Sequence, residues 1–403
     1  MSDEVKHKGH PVDVHFENYS KENVNRYTEQ MNEIRNKCPV AWTDGHWSPH
    51  DTGYWLLTKY KDCRDVAMNW QLFTTAQGAN PMQQDLDIYR MVPLETDPPL
   101  HTQVRSLLAK FFLPAALENF DDKIRLIIHE LLDDCVVGSP ADFVKMFSMK
   151  LPSRVFFELF LGEDPKEIGW IMELTQKLID DPDTAMELAP KLLEWCAETL
   201  EARRREGRTD DIVGVVAHAG NEPDFKLSER ERIEIFNLLI LAGMETTANG
   251  ISAVVHTLAS NPAIKARLTQ ADDTAINKAV DEFLRYASPV TSAGRTVTAD
   301  TSVLGREMCK GERITLSWTA ANRDPTVFAN PDVLDLDRNA SQHLAFGHGH
   351  HKCIGMHLAR REMRLALQEL CTLSVFELVP GTEIRYRTGP QQGIISLPII
   401  CER

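Results

Sequence analysis

Apolar residues recur every three to four positions over most of this chain, a spacing typical of amphipathic helices. The longest such region, Phe120–Arg205, is interrupted near Gly138–Pro140, Gly162–Pro165 and Asp180–Thr184. Shorter helices are predicted at Tyr19–Lys37, Lys61–Trp70, His101–Phe112 and Thr274–Ala287. Alternating or β-branched runs predict strands at Tyr54–Thr58, Arg295–Leu304, Arg313–Trp318 and Ile394–Ile400. The pattern therefore predicts a mainly α-helical fold with small β-sheets.

One predicted helix differs from the others because its middle is apolar on every side. Ser228 and Glu231 have the spacing of a capping box, and the helix ends near Ser260. The segment Phe236–Ala248 is apolar all round, which is typical of a helix buried through the centre of a domain. Its longest uninterrupted apolar run is much shorter than the roughly 20 residues that span a bilayer. We therefore predict a core helix and no membrane-spanning segment.

The segment Thr75–Pro99 carries four prolines and few helical signals. It is predicted to be a long loop, and long ordered loops in compact domains are often functional lids. The sequence contains no internal repeat, low-complexity tract or linker. Residues 1–403 are therefore predicted to form a single domain.

Charge and cysteine content narrow the range of functions. The net charge of −15 argues against binding of nucleic acid or of an anionic membrane as the main role. The eight cysteines form no CxxC pair, and the chain begins with a polar segment that does not resemble a signal peptide. These features predict a reduced, cytoplasmic location.

The stretch His343–Gly355, HLAFGHGHHKCIG, contains the strongest chemical signal in the sequence. Cys353 is surrounded by glycines, and the residues after it have helical periodicity, so Cys353 is predicted at the N-terminus of a helix. The helix dipole favours a thiolate there. Glycines let the backbone approach a flat, bulky group closely. This combination suits a metal held inside a macrocycle.

Two other interpretations of this stretch remain open from the residues alone. A single cysteine beside a helix is most often a small buried hydrophobic residue. The neighbouring imidazoles could instead hold zinc or copper together with Cys353. That metal site would give the glycines no role, and it would require adjacent imidazoles to converge on one ion. The imidazoles concerned are His343, His348, His350, His351 and His357.

The pattern F-x-x-G-x-H-x-C-x-G resembles the haem-binding loop of the cytochrome P450 family. It is formed by Phe346, Gly349, His351, Cys353 and Gly355. The resemblance implies that Cys353 is the axial ligand of the iron in haem b (iron protoporphyrin IX). It also implies the mainly α-helical, triangular P450 fold with small β-sheets, with haem between the long central helix and the helix after Cys353.

The predicted core helix contains a second motif, Ala242-Gly243-Met244-Glu245-Thr246. A glycine within a helix costs roughly 1 kcal/mol relative to alanine, so Gly243 suggests that space is needed beside the helix. The Thr246 hydroxyl can bond back to a carbonyl one turn earlier. The motif resembles the oxygen-binding acid–alcohol pair of the P450 family. The resemblance implies that Glu245 and Thr246 transfer protons to the bound oxygen. Many members have aspartate where this chain has Glu245.

Further motifs match the family. Glu282 and Arg285 resemble its E-x-x-R, with Arg338 as the third member of a structural triad. By the same resemblance, the haem propionates would be held by His101, Arg105, Arg295 and His351.

The resemblance implies a monooxygenase that inserts one atom of O₂ into a small hydrophobic substrate. Electrons would come from a ferredoxin and its NAD(P)H-dependent reductase. A non-catalytic haem-thiolate protein and a peroxide-driven oxidase are the alternatives, but both are expected to lack the acid–alcohol pair. The expected ferredoxin-docking cations are Lys110, Lys352, Arg360, Arg361 and Arg364. The expected pocket residues are Tyr89, Met91, Val92, Leu238, Leu239, Ala242, Val290, Ser292, Ile394 and Ile395.

Overall fold

The computed structural model describes residues 10–16, 24–44, 53–79, 90–162, 169–171, 174, 182–387 and 391–403. Helices dominate this part of the chain. α-Helices of five residues or more span Tyr27–Lys37, Tyr60–Met68, Leu100–Ala109, Asp121–Val137, Lys150–Arg154, Pro182–Glu206, Ile212–His218, Glu229–Ser260, Pro262–Thr269, Asp273–Ala287 and Met356–Leu370. Two π-helices span Val144–Ser148 and Val155–Leu161. Helical turns of three or four residues are Val24–Arg26, Lys110–Phe112, Pro114–Leu117, Glu118–Phe120, Trp318–Ala321 and Gly349–His351.

The strands form two larger sheets and two hairpins. They are β1 Val40–Thr43, β2 Tyr54–Leu57, β3 Phe73–Thr74, β4 Ala141–Asp142, β5 Asn221–Glu222, β6 Phe225–Lys226, β7 Ser292–Val297, β8 Thr301–Val303, β9 Arg306–Met308, β10 Arg313–Ser317, β11 Val375–Leu378 and β12 Pro398–Glu402. The first sheet has the strand order β1-β2-β10-β7-β3, and β10 runs parallel to β2 while the other neighbours are antiparallel. The second sheet has the order β11-β12-β4, and the pairs β5-β6 and β8-β9 form hairpins.

The helix Glu229–Ser260, called the central helix below, passes through the hydrophobic core. Its predicted capping box is present, because the Ser228 hydroxyl accepts the Glu231 amide while the Glu231 carboxylate accepts the Ser228 amide. Within the described residues, this is the one helix long and apolar enough to cross a membrane. However, 61% of its most apolar window is buried inside the fold, as in the core helix of a globular protein.

The helix Met356–Leu370, called the Cys-loop helix below, packs against the central helix. A Cβ atom added to Gly250 would lie 3.0 Å from the Met363 sulfur. Glycine therefore permits the close crossing of the two helices. This crossing fixes the central helix relative to the segment that carries Cys353.

Several predicted boundaries are wrong. The single strand predicted at Arg295–Leu304 is two strands, β7 and β8, because Asp300 accepts the Lys310 amide and the chain turns between them. The predicted strand Ile394–Ile400 is displaced to β12, since the Leu397 amide donates to the Asp142 side chain and not to a strand.

Two other predicted boundaries differ in the same way. Trp318 begins a short helix that Ser317 caps, so β10 ends before it. A helix also starts at Pro182, inside the predicted break at Asp180–Thr184, and proline is favoured at a helix start. The described ends of the predicted loop, residues 75–79 and 90–99, contain no helix or strand.

Candidate active site

Cys353 lies just before the Cys-loop helix, in a turn that depends on glycine. Its amide donates to the Phe346 carbonyl at 2.9 Å. Gly347 and Gly349 have φ angles of +66° and +72°, which side chains rarely adopt. A Cβ atom at Gly349 would also lie 2.3 Å from the Ala67 carbonyl oxygen. These constraints hold Cys353 at the N-terminal end of the helix.

The Cys353 side chain is exposed, whereas six of the other seven cysteines are buried. Burial nevertheless raises the pKa of the Cys353 thiol, while the Gly355 amide and the charges of Arg105, Arg360 and Lys352 lower it. Positive groups around it favour the thiolate, the form that binds metals.

Two histidines and two arginines from distant segments meet beside Cys353. The rings of His101 and His351 are 4.4 Å apart, and the His351 Nε2 lies 3.0 Å from the Thr75 hydroxyl. Burial, followed by the charges of Arg295, His101 and Arg105, lowers the pKa of His351 to about 2. The fold therefore gathers all four predicted propionate partners in one place.

Several of these groups are buried without enough partners of opposite charge. Neither ring nitrogen of His101 has a hydrogen-bond partner of ordinary geometry among the described residues. The backbone of His350 lies close enough to His101 to oppose the lowering of the His101 pKa. Arg295 is 3% exposed and donates to the neighbouring Gly294 carbonyl at 2.6 Å. Burial and the charge of Arg313 together lower the pKa of Arg295 to about 10, although the charge of Asp97 opposes them. An anionic ligand would stabilise such a group of cations and imidazoles.

The central helix has an accessible stripe in the middle of its buried length. Ala242 is exposed and Thr246 is partly exposed, whereas Met244 is 3% exposed. The Thr246 hydroxyl donates to the Ala242 carbonyl at 3.0 Å. A Cβ atom at Gly243 would lie an ordinary 3.6 Å from the Phe156 ring, so packing within the described protein does not require glycine there.

Glu245 is held by described residues near the C-terminus, which lie in 384–387 and 391–395. Its carboxylate lies 3.6 Å from the Arg387 guanidinium, and the Arg387 amide donates to the Gly393 carbonyl at 2.8 Å. A Cβ atom at Gly393 would lie 2.1 Å from the side-chain oxygen of Asn249, one turn after Glu245. The segment therefore docks on the central helix at two points, and one of them is the acid of the acid–alcohol motif.

The E-x-x-R residues form a fully buried ion pair. Arg285 donates two hydrogen bonds to the Glu282 carboxylate at 2.7 and 2.8 Å, and both side chains are 0% exposed. Arg338 donates to the same carboxylate at 3.2 Å. The three predicted members therefore meet, and they join the helix Asp273–Ala287 to the segment before the Cys loop.

Comparison with known proteins identifies the family of this chain. A family model described as cytochrome P450 matches residues 164–399. The polyketide biosynthesis cytochrome P450 PksS of Bacillus subtilis is 32% identical over 361 residues, which cover 86% of this chain and 88% of PksS. Linalool 8-monooxygenase of Pseudomonas putida is 29% identical, with 94% of this chain and 97% of that protein covered. The chain belongs to the cytochrome P450 family.

The structural comparison agrees with this P450 assignment. The Mycobacterium marinum cytochrome P450 CYP268A2, solved in complex with pseudoionone, has a TM-score of 0.88 and 26% identity. The match covers 97% of this chain and 99% of that protein. Relatives across the family bear the names of hydroxylases and monooxygenases, and the chain is a P450 monooxygenase with haem as its cofactor.

The residues present fit a P450 haem. Cys353 offers an accessible sulfur in a positive environment, and one of the two ring nitrogens of His101 can donate to a propionate. The exposed face at Ala242 leaves the central helix open beside the motif that carries Thr246. The zinc or copper alternative has no support, since no group of three or more metal-binding side chains occurs within the residues the structure describes.

The predicted P450 pocket residues differ in accessibility. Tyr89 lies outside the described residues. Val92 and Ile394 are buried, Leu239 is just buried at 9% exposed, and Ile395 is 43% exposed. Partial exposure, which a pocket-lining side chain needs, is found at Met91, Leu238 and Val290.

Ser292 contradicts the pocket prediction. Its hydroxyl lies beside the Tyr27 hydroxyl, as do the hydroxyls of Thr291 and Ser317. Burial raises the pKa of Tyr27 to about 12, and hydrogen bonds with these three hydroxyls oppose that rise. Successive side chains of a strand point to opposite faces, so Ser292 and Arg295 lie on different faces of β7. Ser292 therefore belongs to the contact with Tyr27, and Ala293 shares the face of Arg295.

The predicted docking surface carries less free charge than the sequence suggests. Of its five cations, Lys110 and Lys352 are exposed. Two carboxylates offset the other three, because Arg361 and Arg364 share Asp121, and this weakens the field that the three arginines project. The pairs are Arg360 with Asp281 at 2.7 Å, Arg361 with Asp121 at 3.1 Å and Arg364 with Asp121 at 2.8 Å.

Sequence reasoning missed Thr75 and Arg387. Thr75 orients His351, although the two residues are 276 positions apart. Arg387 lies in a segment without a recognisable motif and reaches Glu245 only because that segment folds onto the central helix. No local pattern could have revealed either contact.

Proposed function

We propose that this P450 binds haem b through the Cys353 thiolate and hydroxylates a compact hydrophobic substrate. The observation that carries the proposal is the meeting of an accessible, positively surrounded Cys353 with the four imidazole and guanidinium groups beside it. When bound, thiolate-ligated haem supplies the binding and activation of O₂.

The haem-holding roles follow from position. Cys353 would coordinate the iron, and Phe346 and Gly355 would shape the loop around the sulfur. His101 and His351 would donate to propionates, which is consistent with the unpaired nitrogens of His101. Arg105 and Arg295 would neutralise the same carboxylates, and Ala242 and Gly243 would leave room on the opposite face.

Proton handling falls to the acid–alcohol pair. Thr246 holds its hydroxyl against the Ala242 carbonyl and can accept a hydrogen bond from a water or a bound ligand at the same time. Glu245 is 8% exposed and is held by Arg387, and its carboxylate would take up a proton from water and release it toward the site beside Thr246. In this proposal Glu245 relays the proton and Thr246 orients its acceptor.

The accessible pocket residues bear on the class of substrate. The partly exposed Met91, Leu238 and Val290 offer an apolar lining, which favours a small hydrophobic molecule. Relatives include enzymes named for linalool and for polyketide biosynthesis, so similarity alone favours no single class. We infer electron supply by a ferredoxin and its NAD(P)H-dependent reductase, and a reduced, cytoplasmic setting that suits eight free cysteines.

The reduced, CO-bound spectrum tests the haem-thiolate proposal. The protein should show the strongly red-shifted band of thiolate ligation, and Cys353→Ser should lose it. Cys38→Ser, at a half-exposed cysteine, is the matched control and should keep the band. Survival of the band in Cys353→Ser would contradict the assignment.

Turnover assays separate a monooxygenase from a peroxide-driven oxidase and from a ligand-binding protein. Turnover that requires ferredoxin, NAD(P)H and O₂ supports monooxygenation. Equal or faster turnover with hydrogen peroxide alone would favour the peroxide-driven alternative, and binding without product would favour a ligand-binding protein.

A further inference from the structure

A partly buried charge pair connects the E-x-x-R helix to the Cys-loop helix. Asp281, the residue before Glu282, accepts a hydrogen bond from the Arg360 Nε at 2.7 Å. The Arg360 guanidinium also lies over the Phe346 ring, 4.7 Å from its centroid. Arg360 therefore packs against the loop that carries Cys353, and it is not the free surface cation that its position after Cys353 suggests.

His343 completes this group and its tautomer follows from its contacts. The side chain is fully buried, and its Nδ1 accepts the Ala345 amide at 3.1 Å. In the neutral imidazole the other nitrogen then carries the hydrogen. That nitrogen lies 3.5 Å from the Asp281 carboxylate and 3.4 Å from the Arg360 Nη2, so its hydrogen is directed to the carboxylate.

The neutral form of His343 is favoured because burial lowers its pKa, although Asp281 opposes this. Burial would raise the pKa of Asp281, but His343 and Arg360 lower it below its usual range, so the carboxylate stays ionised. The group thus holds one positive charge on Arg360 and one negative charge on Asp281. Their side chains are only 28% and 20% exposed, so water screens them weakly.

Arg360 packs against the residue that supports Cys353, and Asp281 is bound to Arg360. The Phe346 carbonyl accepts the Cys353 amide, so the ring beneath Arg360 belongs to the residue that supports Cys353. Arg360 is among the cations that act on the Cys353 sulfur, after Arg105. Arg105 would be offset by a propionate in the proposed complex, which leaves Arg360 as the larger lasting cation.

We propose that Arg360 and Asp281, positioned by His343, set the reduction potential of the haem iron bound at Cys353 through opposite electrostatic effects. Arg360 stabilises the ferrous state, which carries one electron more, and Asp281 stabilises the ferric state. This inference rests on the proposed haem-thiolate function. The three residues are positioning residues and contact no reacting atom.

The test is a dye-coupled redox titration of the purified holoenzyme without any protein partner. At a fixed potential near the midpoint, the ratio of ferrous to ferric protein should fall about three- to tenfold in Arg360→Gln. Tenfold corresponds to 59 mV for a one-electron couple. The ratio should rise by a similar factor in Asp281→Asn and lie within about twofold of wild type in the double variant.

The matched control is the charge group that Arg361 and Arg364, on the same helix, form with Asp121. Arg364 and Asp121 pair at 2.8 Å, with side chains 17% and 31% exposed. Arg364→Gln and Asp121→Asn should change the ratio by less than about twofold. The inference would be overturned if the ratio of ferrous to ferric protein changed in the same direction in Arg360→Gln and Asp281→Asn, or by no more than in the controls. Structural damage would not change the ratio in opposite directions according to the charge removed.

The CO-bound spectrum separates this inference from the proposed function. A wild-type protein without the thiolate band overturns the proposed function itself. If Arg360→Gln alone loses the band, Arg360→Lys, which keeps the charge, decides the matter. A lysine variant with the wild-type ratio supports the electrostatic role, and one shifted about tenfold overturns it.

Discussion

Replacement of Glu282 by glutamine should be among the most destabilising single changes in this P450. The carboxylate accepts two hydrogen bonds from Arg285, one from Arg338 and one from the Asp335 amide. Glu282→Gln keeps the shape of the side chain but removes the charge. Arg285 would then be fully buried with its principal counter-charge removed.

The expected size of the effect follows from this burial. Removing one partner of a buried ion pair typically costs about 3–5 kcal/mol. The entropy of unfolding is about 2.1 cal/mol/K per residue, so for 403 residues the melting temperature should fall by about 4–6 °C. Calorimetry and far-UV circular dichroism of the haem-loaded protein measure this shift.

An exposed pair provides the control for this prediction. Glu229 lies 2.7 Å from Arg204, with side chains 50% and 26% exposed. Exposed pairs contribute about 0–1 kcal/mol, so Glu229→Gln should lower the melting temperature by about 1 °C or less. If Glu282→Gln melts as close to wild type as Glu229→Gln does, the buried pair does not stabilise the fold as argued.

Three further predictions concern catalysis, docking and pH. Thr246→Ala should keep the CO band but lower the ratio of product to NAD(P)H consumed, with more hydrogen peroxide released; wild-type coupling would remove the role of the hydroxyl. Reduction by ferredoxin should slow as salt rises, because the Debye length falls from about 10 Å at 0.1 M to 3 Å at 1 M. Lys352→Glu should weaken this salt dependence. Arg361→Gln should not, because Arg361 is already paired with Asp121. In the haem-free protein, burial lowers the pKa of His101 from 6.5 to about 4, so the unfolded chain takes up its proton first as the pH falls. The free energy of unfolding from urea titrations should therefore decrease between about pH 6.5 and 4, and a decrease of the same size in His101→Gln would contradict this account.

The sequence determined the features that depend on neighbouring residues. The capping box of Ser228 and Glu231, the apolar middle of the central helix and the glycine turn before Cys353 all arise from local spacing and backbone geometry. Local hydrogen bonds and backbone angles need no knowledge of distant segments. The mainly helical fold was predicted correctly for the same reason.

Strand boundaries were predicted less well because a strand ends where its partner ends. The start of β12 depends on Asp142, far away in the sequence, which binds the Leu397 amide. The face that Ser292 presents depends on the register of β7 against β10. A shift of one residue reverses every face of a strand, so composition alone could not assign Ser292 to the contact with Tyr27.

The charged contacts were decided by the tertiary structure alone. Arg360 follows Cys353 closely, and the sequence suggested a surface cation, but the fold brings Asp281 from another helix to meet it. Arg387 reaches Glu245 in the same way, from a segment without a motif. Whether a long charged side chain points to solvent or inward depends on where an opposite charge is placed in space, because a charge is buried only when a partner offsets its loss of hydration.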